Sequence, residues 1–385
     1  MRIAVNTRFL LKNNREGMGR FVEETFRRIV LNHPEHEFIF LFDRPYESEF
    51  IFADNITPVV LQPPARHPIL FILWYELSVV WALKKHKADI FISPDNFCSI
   101  RTKVPTLLVV HDLAFHHFPE QVGRFPLWYY RYFTPKFVKK ANQIACVSEY
   151  TKSDVMKFYD VKSEKIDVCY SGVRDIFKPL SESEKIVIRK QFTDEKKYFY
   201  YIGAVHPRKN VHRLITAFDA FKTATGSDMK FLIAGRFAWQ TGEVKSAYDA
   251  ASHQADIEFL GYVSDEDSPK LMAASHAVLF ASQFEGFGVP IVEAANCEIP
   301  VITSNVSSMP EIASGAGILV NPQSITEITA AMHKLVSDEP LYQQMVEKAK
   351  ANQSKFTWDF TAATIWKSTL KVVQTFLSML LLLIH

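Results

Sequence analysis

Apolar residues along the chain fall into short, nearly unbroken runs separated by amphipathic stretches. In the first half the runs are RIAVN (2–6), EFIFLF (37–42), DIFIS (89–93), TLLVV (106–110) and QIACVS (143–148). A strand covered on both faces has this pattern, because neither side of it meets water. Helical stretches such as RFVEETFRRIVLNH (20–33) lie between them. Strand alternating with helix is the rhythm of a parallel sheet with helical crossovers. The stretch SGVRDIFKPLSESEKIVIRKQF (171–192) interrupts the rhythm with charge and proline, and no strand is expected in it. A second series then runs through KYFYYIG (197–203), KFLIAG (230–235), IEFLG (257–261), AVLFAS (277–282), PVITS (300–304) and GILV (317–320). The pattern predicts an α/β chain of two doubly wound, Rossmann-like domains, 1–175 and 176–358, with a hinge near 172–180. The segment 357–381 is expected to form one long helix opening at Thr357, so that 359–385 packs back on the first domain.

Length supports the division, since 385 residues exceed one ordinary core. Apolar residues make up 48% and charged residues 22%, which is an ordinary soluble composition. A net charge of +2 argues against a protein built mainly to hold nucleic acid. Cys98, Cys146, Cys169 and Cys297 are scattered without C-x-x-C spacing and fit reduced core thiols in a cytoplasmic protein rather than a zinc or disulfide framework. MRIAVNTRFL lacks the apolar core and cleavage site of a signal peptide. Two other runs call for a membrane test. PILFILWYELSVVWAL (68–83) carries Glu76 and is followed by Lys84, Lys85 and Lys87, and FLSMLLLLI (376–384) is far short of the ~20 residues a spanning helix needs. Neither is expected to cross a bilayer.

Ligands of doubly wound sheets bind outside the carboxyl ends of the strands, so the residues just after each run are the candidates. After the first strand, Gly17 and Gly19 open a helix, where backbone N–H groups and the helix dipole can face a phosphate. A plain glycine turn is the alternative. A dinucleotide fingerprint would want Gly or Ala at 22, where Val22 stands, so NAD is disfavoured even though Asp43 could imitate a dehydrogenase's ribose-binding acid. After the fourth strand, VVHDLAF places His111 where it can bond a sugar hydroxyl or move a proton, with Asp112 beside it as a second polar contact or a turn cap. In YIGAVHPRKNVHRLITAF, Arg208 and Lys209 precede a helix. Cations are electrostatically disfavoured there, which suggests that an anion sits with them. Asp265-Glu266-Asp267 matches a D-x-D metal signature, but Ser264 is a good N-cap and acids favour a first turn, so no metal is expected.

FEGFGVPIVE (284–293) holds Glu285 and Glu293 around a glycine pair, with Pro290 suited to a first helical turn. The glycines should leave Glu285 in a loop and Glu293 about one turn into the helix, with amides around Phe287, Gly288 and Val289 between them. Two acids at separate depths flanking backbone donors suit an extended polar ligand such as a nucleotide sugar.

FEGFGVPIVEAANCEIPVITS resembles the E-x7-E region of retaining glycosyltransferases of family 4, which have the GT-B fold of two Rossmann-like domains facing across a cleft. GMGR, VHDL, VSEYTKSDV, YIGAVHPRKN, FLGYVSDED and SSMPEIASGAGILV extend the likeness over most of the chain in matching order. The resemblance implies transfer of a sugar from a nucleotide diphosphate donor, with retained anomeric configuration and no cofactor or required metal. It makes 1–175 the acceptor-binding domain and 176–358 the nucleotide-sugar-binding domain. It also implies that Glu285 and the amides of Phe287, Gly288 and Val289 contact the donor sugar, and that Glu293 takes the ribose. Arg208 and Lys209, helped by the Gly17–Gly19 loop, would neutralise the diphosphate. Val263 would lie beside the base and His111 near the reacting sugar. Many members have Gly-Arg where this chain has Gly203-Ala204, so Arg208 would compensate there. Front-face substitution is the favoured mechanism. GMGR, HDL and PRKN resemble bacterial polysaccharide mannosyltransferases and lean the donor toward GDP-mannose, with a cell-surface glycan or lipid-linked glycan as acceptor. A nucleotide-sugar 2-epimerase and a non-catalytic nucleotide-sugar binder share the architecture and remain alternatives. RFPLWYYRYFTPKFVKKANQ (124–143) mixes aromatics with Arg124, Arg131, Lys136, Lys139 and Lys140. It suits peripheral association with an anionic membrane, and equally a helix buried on one face with a wet basic side.

Overall fold

The structure is a computed structural model that describes residues 1–12, 17–236 and 242–384. The chain divides into two units, Met1–Gly172 with Thr357–His385, and Val173–Phe356. In the first unit the chain runs β1 (Arg2–Asn6), α1 (Met18–Asn32), β2 (Glu37–Phe42), β3 (Ile56–Val60), α2 (Pro68–Leu73), a π-helical turn (Trp74–Val79), α3 (Val80–Lys85), β4 (Ile90–Ser93), β5 (Thr106–Val110), α4 (Ala114–His117), α5 (Arg124–Lys140), β6 (Gln143–Cys146), α6 (Glu149–Tyr159) and β7 (Ile166–Val168). The seven strands are parallel throughout and ordered β3-β2-β1-β4-β5-β6-β7.

The second unit contains α7 (Glu182–Thr193), β8 (Tyr198–Ile202), α8 (Val211–Thr225), β9 (Lys230–Ala234), α9 (Gly242–Ala250), β10 (Ile257–Gly261), α10 (Asp267–Ala274), β11 (Ala277–Phe280), α11 (Val289–Asn296), β12 (Val301–Ser304), α12 (Met309–Ala313), β13 (Gly317–Val320), α13 (Ile325–Ser337) and α14 (Glu339–Asn352). Its six parallel strands are ordered β10-β9-β8-β11-β12-β13. The last helix, α15 (Trp358–Ile384), belongs to the first unit. Thr357 caps it by accepting the Phe360 N–H at 3.1 Å. Both sheets are doubly wound, as the alternating runs predict.

Three elements escape the apolar-run reading. β3 is an edge strand with Pro58 inside it, and proline is tolerated there because half of an edge strand's N–H groups have no partner to lose. β7 is a three-residue edge strand, IDV, too short to form an apolar run. α7 lies inside the polar 171–192 stretch. Ser181 accepts the Glu184 N–H and the Glu184 side chain reaches back to the Ser181 N–H, a complete capping box.

The central strands are sealed. Ile3, Phe38, Phe40, Ile90, Leu107 and Ile144 in the first unit, and Phe199, Phe231, Val278 and Ile302 in the second, have no exposed surface. The four cysteines are free and buried, and burial pushes the Cys98, Cys146, Cys169 and Cys297 thiols up. α15 closes one side of the first sheet. His33 stacks on Trp366 at 3.8 Å, Arg28 meets Asp359 at 2.8 Å, and Asp167 on β7 accepts from Ser368 at 2.7 Å and pairs with Lys371. Among the described residues no helix is long and apolar enough to cross a membrane.

Candidate active site

Each sheet reverses its winding at one place, between β1 and β4 in the first unit and between β8 and β11 in the second. In such sheets the loops leaving the strands on either side of the reversal diverge and leave a crevice for ligand. In the second unit these loops are 203–210 and 281–288, and they carry the predicted residues Arg208, Lys209, Glu285, Phe287 and Gly288.

The loop after β8 is fixed by backbone bonds to its neighbours. Gly203 N–H donates to Ala234 O at 3.0 Å and Val205 N–H to Arg236 O at 2.9 Å. A Cβ on Gly235 would stand 1.9 Å from Gly203 O, so only glycine allows that approach. A single helical turn, Pro207–Lys209, presents Arg208 and Lys209 immediately ahead of α8. Asn210 ends it in the left-handed region, at φ 63°. Its side chain donates to Ala281 O at 3.0 Å and Pro322 O at 2.7 Å, tying this turn to the loop after β11. Gln283 N–H adds a bond to Arg208 O at 2.8 Å.

The loop after β11 holds Glu285 against both cations. Lys209 Nζ lies 2.6 Å from Glu285 Oε1, and Arg208 Nη1 lies 3.4 Å from Oε2 and also donates to Phe284 O. Burial alone would raise the Glu285 carboxyl, but the Lys209 and Arg208 charges outweigh it and hold the group below the ordinary carboxylate range. Glu285 is therefore ionised at neutral pH. Ser307 Oγ accepts the Glu285 N–H at 3.1 Å, and Ser308 Oγ lies 2.9 Å from both Glu285 O and Phe287 O. Gly288 (φ 103°) then turns the chain into α11, with Pro290 in its first turn. The Phe287 ring is buried against Phe356, centroids 5.8 Å apart, so only the backbone of this residue is offered to a ligand. Glu293 stands one turn into α11, half-buried. Val263 lies past the end of β10, the edge strand, two strands from the reversal.

Sequence reasoning singled out Arg208, Lys209, Glu285, Phe287 and Gly288, which lie in these two loops, and Val289, which opens α11. It missed Asn210, Ser307 and Ser308, which hold the loops in place. The motif SSMPEIASG was visible, but a serine's partner 21 to 23 residues away is not.

The acids of the D-x-D stretch are engaged. Asp265 pairs with Arg174 at 3.0 Å, Glu266 with Lys270 at 2.8 Å, and Asp267 accepts from Ser264 Oγ at 2.8 Å while its own N–H donates to that oxygen at 3.0 Å. Among the described residues no cluster of His, Cys, Asp and Glu could hold a metal ion.

In the first unit, His111 follows β5. Its Nε2 lies 2.9 Å from Pro94 O, and its backbone N–H donates to Asn96 Oδ1 at 2.6 Å. A carbonyl can only accept, so Nε2 carries the proton and a neutral ring keeps its lone pair on Nδ1. Burial lowers the imidazole below its ordinary value and favours that neutral form. Asp112 is a turn cap that accepts the Ala114 N–H at 3.0 Å. Gly17 is the N-cap of α1 and Gly19 is buried in its first turn. Residues 13–16, ahead of Gly17, lie outside the described residues. Phe21 packs edge-on against the His111 ring at 5.0 Å, which brings the start of α1 and His111 to the same edge of the sheet. Asp43 cannot act as a ribose acid. Its carboxylate is buried and taken by Arg44, at 2.6 and 2.8 Å, and by the Ala65 N–H at 3.0 Å.

Two parallel, doubly wound units, the second with this charged crevice, have the architecture of the GT-B fold. Anabaena HepE in complex with UDP-glucose is a solved structure of this fold, with a TM-score of 0.76 at 18% identity over 96% of this chain and 100% of that one. The family model for Glycosyltransferase Family 4 matches residues 16–175, and that for Glycosyl transferases group 1 matches residues 182–352. The chain belongs to this glycosyltransferase family. It is 26% identical over 298 residues to the Escherichia coli O-antigen chain mannosyltransferase B, covering 76% of this chain and 78% of that protein. It is also 23% identical to a stretch of the E. coli serotype-specific mannosyltransferase WbdA, covering 62% of this chain but only 30% of that longer protein.

Proposed function

We propose that this glycosyltransferase moves a hexose from a nucleotide diphosphate sugar to a glycan or lipid-linked glycan, with retained anomeric configuration and without a required metal. Mannose from GDP-mannose is the favoured donor, in keeping with the relation to O-antigen mannosyltransferases. The observation that carries the reading is the Arg208–Lys209–Glu285 cluster. It sets two part-exposed cations beside one carboxylate at the crevice where doubly wound sheets take their ligands. A diphosphate answers that charge. As it engages Lys209, Glu285 is released toward the sugar hydroxyls, while the amides of Gly288 and Val289 at the start of α11 face the charge between sugar and nucleoside.

The same geometry favours front-face substitution. Glu285 is ionised, which makes it a poor proton donor, and its engagement with the sugar hydroxyls argues against a role as nucleophile. The leaving phosphate oxygen takes the proton of the acceptor hydroxyl while Lys209 and Arg208 stabilise the charge that develops on it. His111 contributes the Nδ1 lone pair as a hydrogen-bond acceptor for a sugar hydroxyl. Glu293 takes the ribose hydroxyls, and Val263 lies at the base. Gly17 and Gly19, at the start of α1, help to hold the phosphates.

The test is transfer by Lys209→Ala. Loss of one fixed charge on the leaving group lowers kcat on the order of 10²- to 10³-fold. Turnover equal to the unsubstituted protein would remove the assignment.

A further inference from the structure

One surface of the first unit has the composition of a membrane interface. On the segment 68–85, Ile69, Leu73, Leu77 and Trp81 are all exposed, Trp81 at 55%. Their spacing of four would drift around an ordinary α-helix. The π-helical turn Trp74–Val79 has more residues per turn and holds the row in line. On α5, Phe125, Trp128 and Tyr132 form a second exposed row, with Trp128 at 50%. Successive rings stack at 5.7 and 5.6 Å. The two elements pack through Phe71 and Tyr129, 5.8 Å apart, and through the exposed His67–Phe125 stack at 5.5 Å, so the rows lie side by side.

The charge on this face has one sign. α5 carries Arg124, Arg131, Lys136, Lys139 and Lys140 and no acid. Lys84 and Lys85 end the other row, with Lys85 4.6 Å above the Trp81 ring, while Lys136 lies 3.3 Å above Tyr132. The one acid of segment 68–85, Glu76, is turned into the fold, where it accepts the N–H groups of Ile100 at 2.8 Å and Arg101 at 2.9 Å. A depression lined by Arg124, Leu127, Trp128, Arg131 and Tyr132 opens on the same face. Exposed tryptophans among aliphatic side chains, ringed by cations alone, match the boundary between anionic headgroups and acyl chains. A protein partner would be expected to meet both signs of charge.

We propose that α5 and segment 68–85 form the face by which this protein lies on an anionic lipid surface, with Trp81, Leu77 and Trp128 entering the headgroup layer. This inference does not rest on the donor chemistry proposed above. The test is flotation of the full chain with vesicles of phosphatidylcholine, alone or mixed with phosphatidylglycerol, at low and high salt. The protein should float with the mixed vesicles, remain behind with neutral ones, and be released by salt. Arg124→Gln with Lys139→Gln should lower partitioning roughly 25-fold, about fivefold per charge. Trp81→Ala with Trp128→Ala should abolish flotation, whereas Val187→Ser, at an exposed position of the second unit, should leave it unchanged. Circular dichroism establishes that each variant is folded. Absence of flotation with anionic vesicles, or tryptophan variants that float as the parent does, would overturn the proposal. Transfer to a water-soluble acceptor separates the two readings: the surface variants should retain it, and Lys209→Ala should float normally without it.

Discussion

The two sheet reversals carry the same pair of residue types and use them oppositely. In the first unit Arg8, just past β1, meets Asp95, just past β4, at 2.5 Å. That carboxylate also accepts from Tyr75 at 2.7 Å and Asn6 at 2.8 Å. The Arg8 guanidinium lies among the rings of Phe9, Phe71 and Phe97, at 4.5 to 5.5 Å. Exposure is 7% for Arg8 and 1% for Asp95. Burial would lower the guanidinium, but the adjoining carboxylate overrides it and drives the group further up. In the second unit Arg208 and Lys209 keep 20% and 19% exposure and share one carboxylate. The first reversal is closed by its own buried side chains, while the cations of the second stay part-exposed. Exposure of the charged cluster, rather than the presence of an ion pair, separates the two reversals.

The sharpest way to break this contrast is to remove one carboxylate. Asp95→Ala leaves Arg8 buried without its counter-ion and should cost about 3–5 kcal/mol of stability, read from urea denaturation. Lys209→Ala should do the reverse. Its transfer loss, on the order of 10²- to 10³-fold, should come with little change in the denaturation midpoint, because Arg208 still faces Glu285.

Acid titration comes next in size. Burial pushes His276 down to about 4 and also lowers His111. An unfolded imidazole takes up its proton near pH ~6.5, so below that the unfolded chain binds protons that the folded one refuses. Stability should fall as pH drops from about 6.5 toward 4, by up to about 1.4 kcal/mol per pH unit for each buried histidine. Glu285 acts lower. Its folded value is depressed below 4.5, so its contribution persists to that point and is lost as pH falls through the folded value. Denaturation curves at stepped pH should therefore show two separate losses.

The smallest effect belongs to Ser308→Ala. It removes one hydroxyl that holds Glu285 O and Phe287 O. About 1 kcal/mol of stability should be lost, together with a rise in donor KM as the loop loosens.

Most of the fold was legible in the sequence because strands covered on both faces have nowhere to place a polar residue. The runs at 37–42, 106–110 and 257–261 coincide with β2, β5 and β10 to the residue. β3 and β7 were not legible because edge strands tolerate Pro58 and Asp167. α7 was legible and overlooked, since Ser181 and Glu184 spell its cap within a stretch that charge and proline made look irregular. At the site, the charged residues stood out because cations ahead of a helix contradict its dipole. Asn210 did not, because its partners lie 71 and 112 residues further along and no local pattern encodes them. The Arg8–Asp95 pair escaped for the same reason, its members standing 87 residues apart.

The first unit is assembled from two separated pieces of chain, with the whole of Val173–Phe356 between them. During synthesis the second unit leaves the ribosome complete, while the first must wait for residues 357–384. Until then α1, His33 and Asp167 lack Asp359, Trp366, Ser368 and Lys371. A translational pause or an early stop in that last stretch should therefore yield a molecule with a finished carboxy-terminal sheet and an open, chaperone-dependent amino-terminal one.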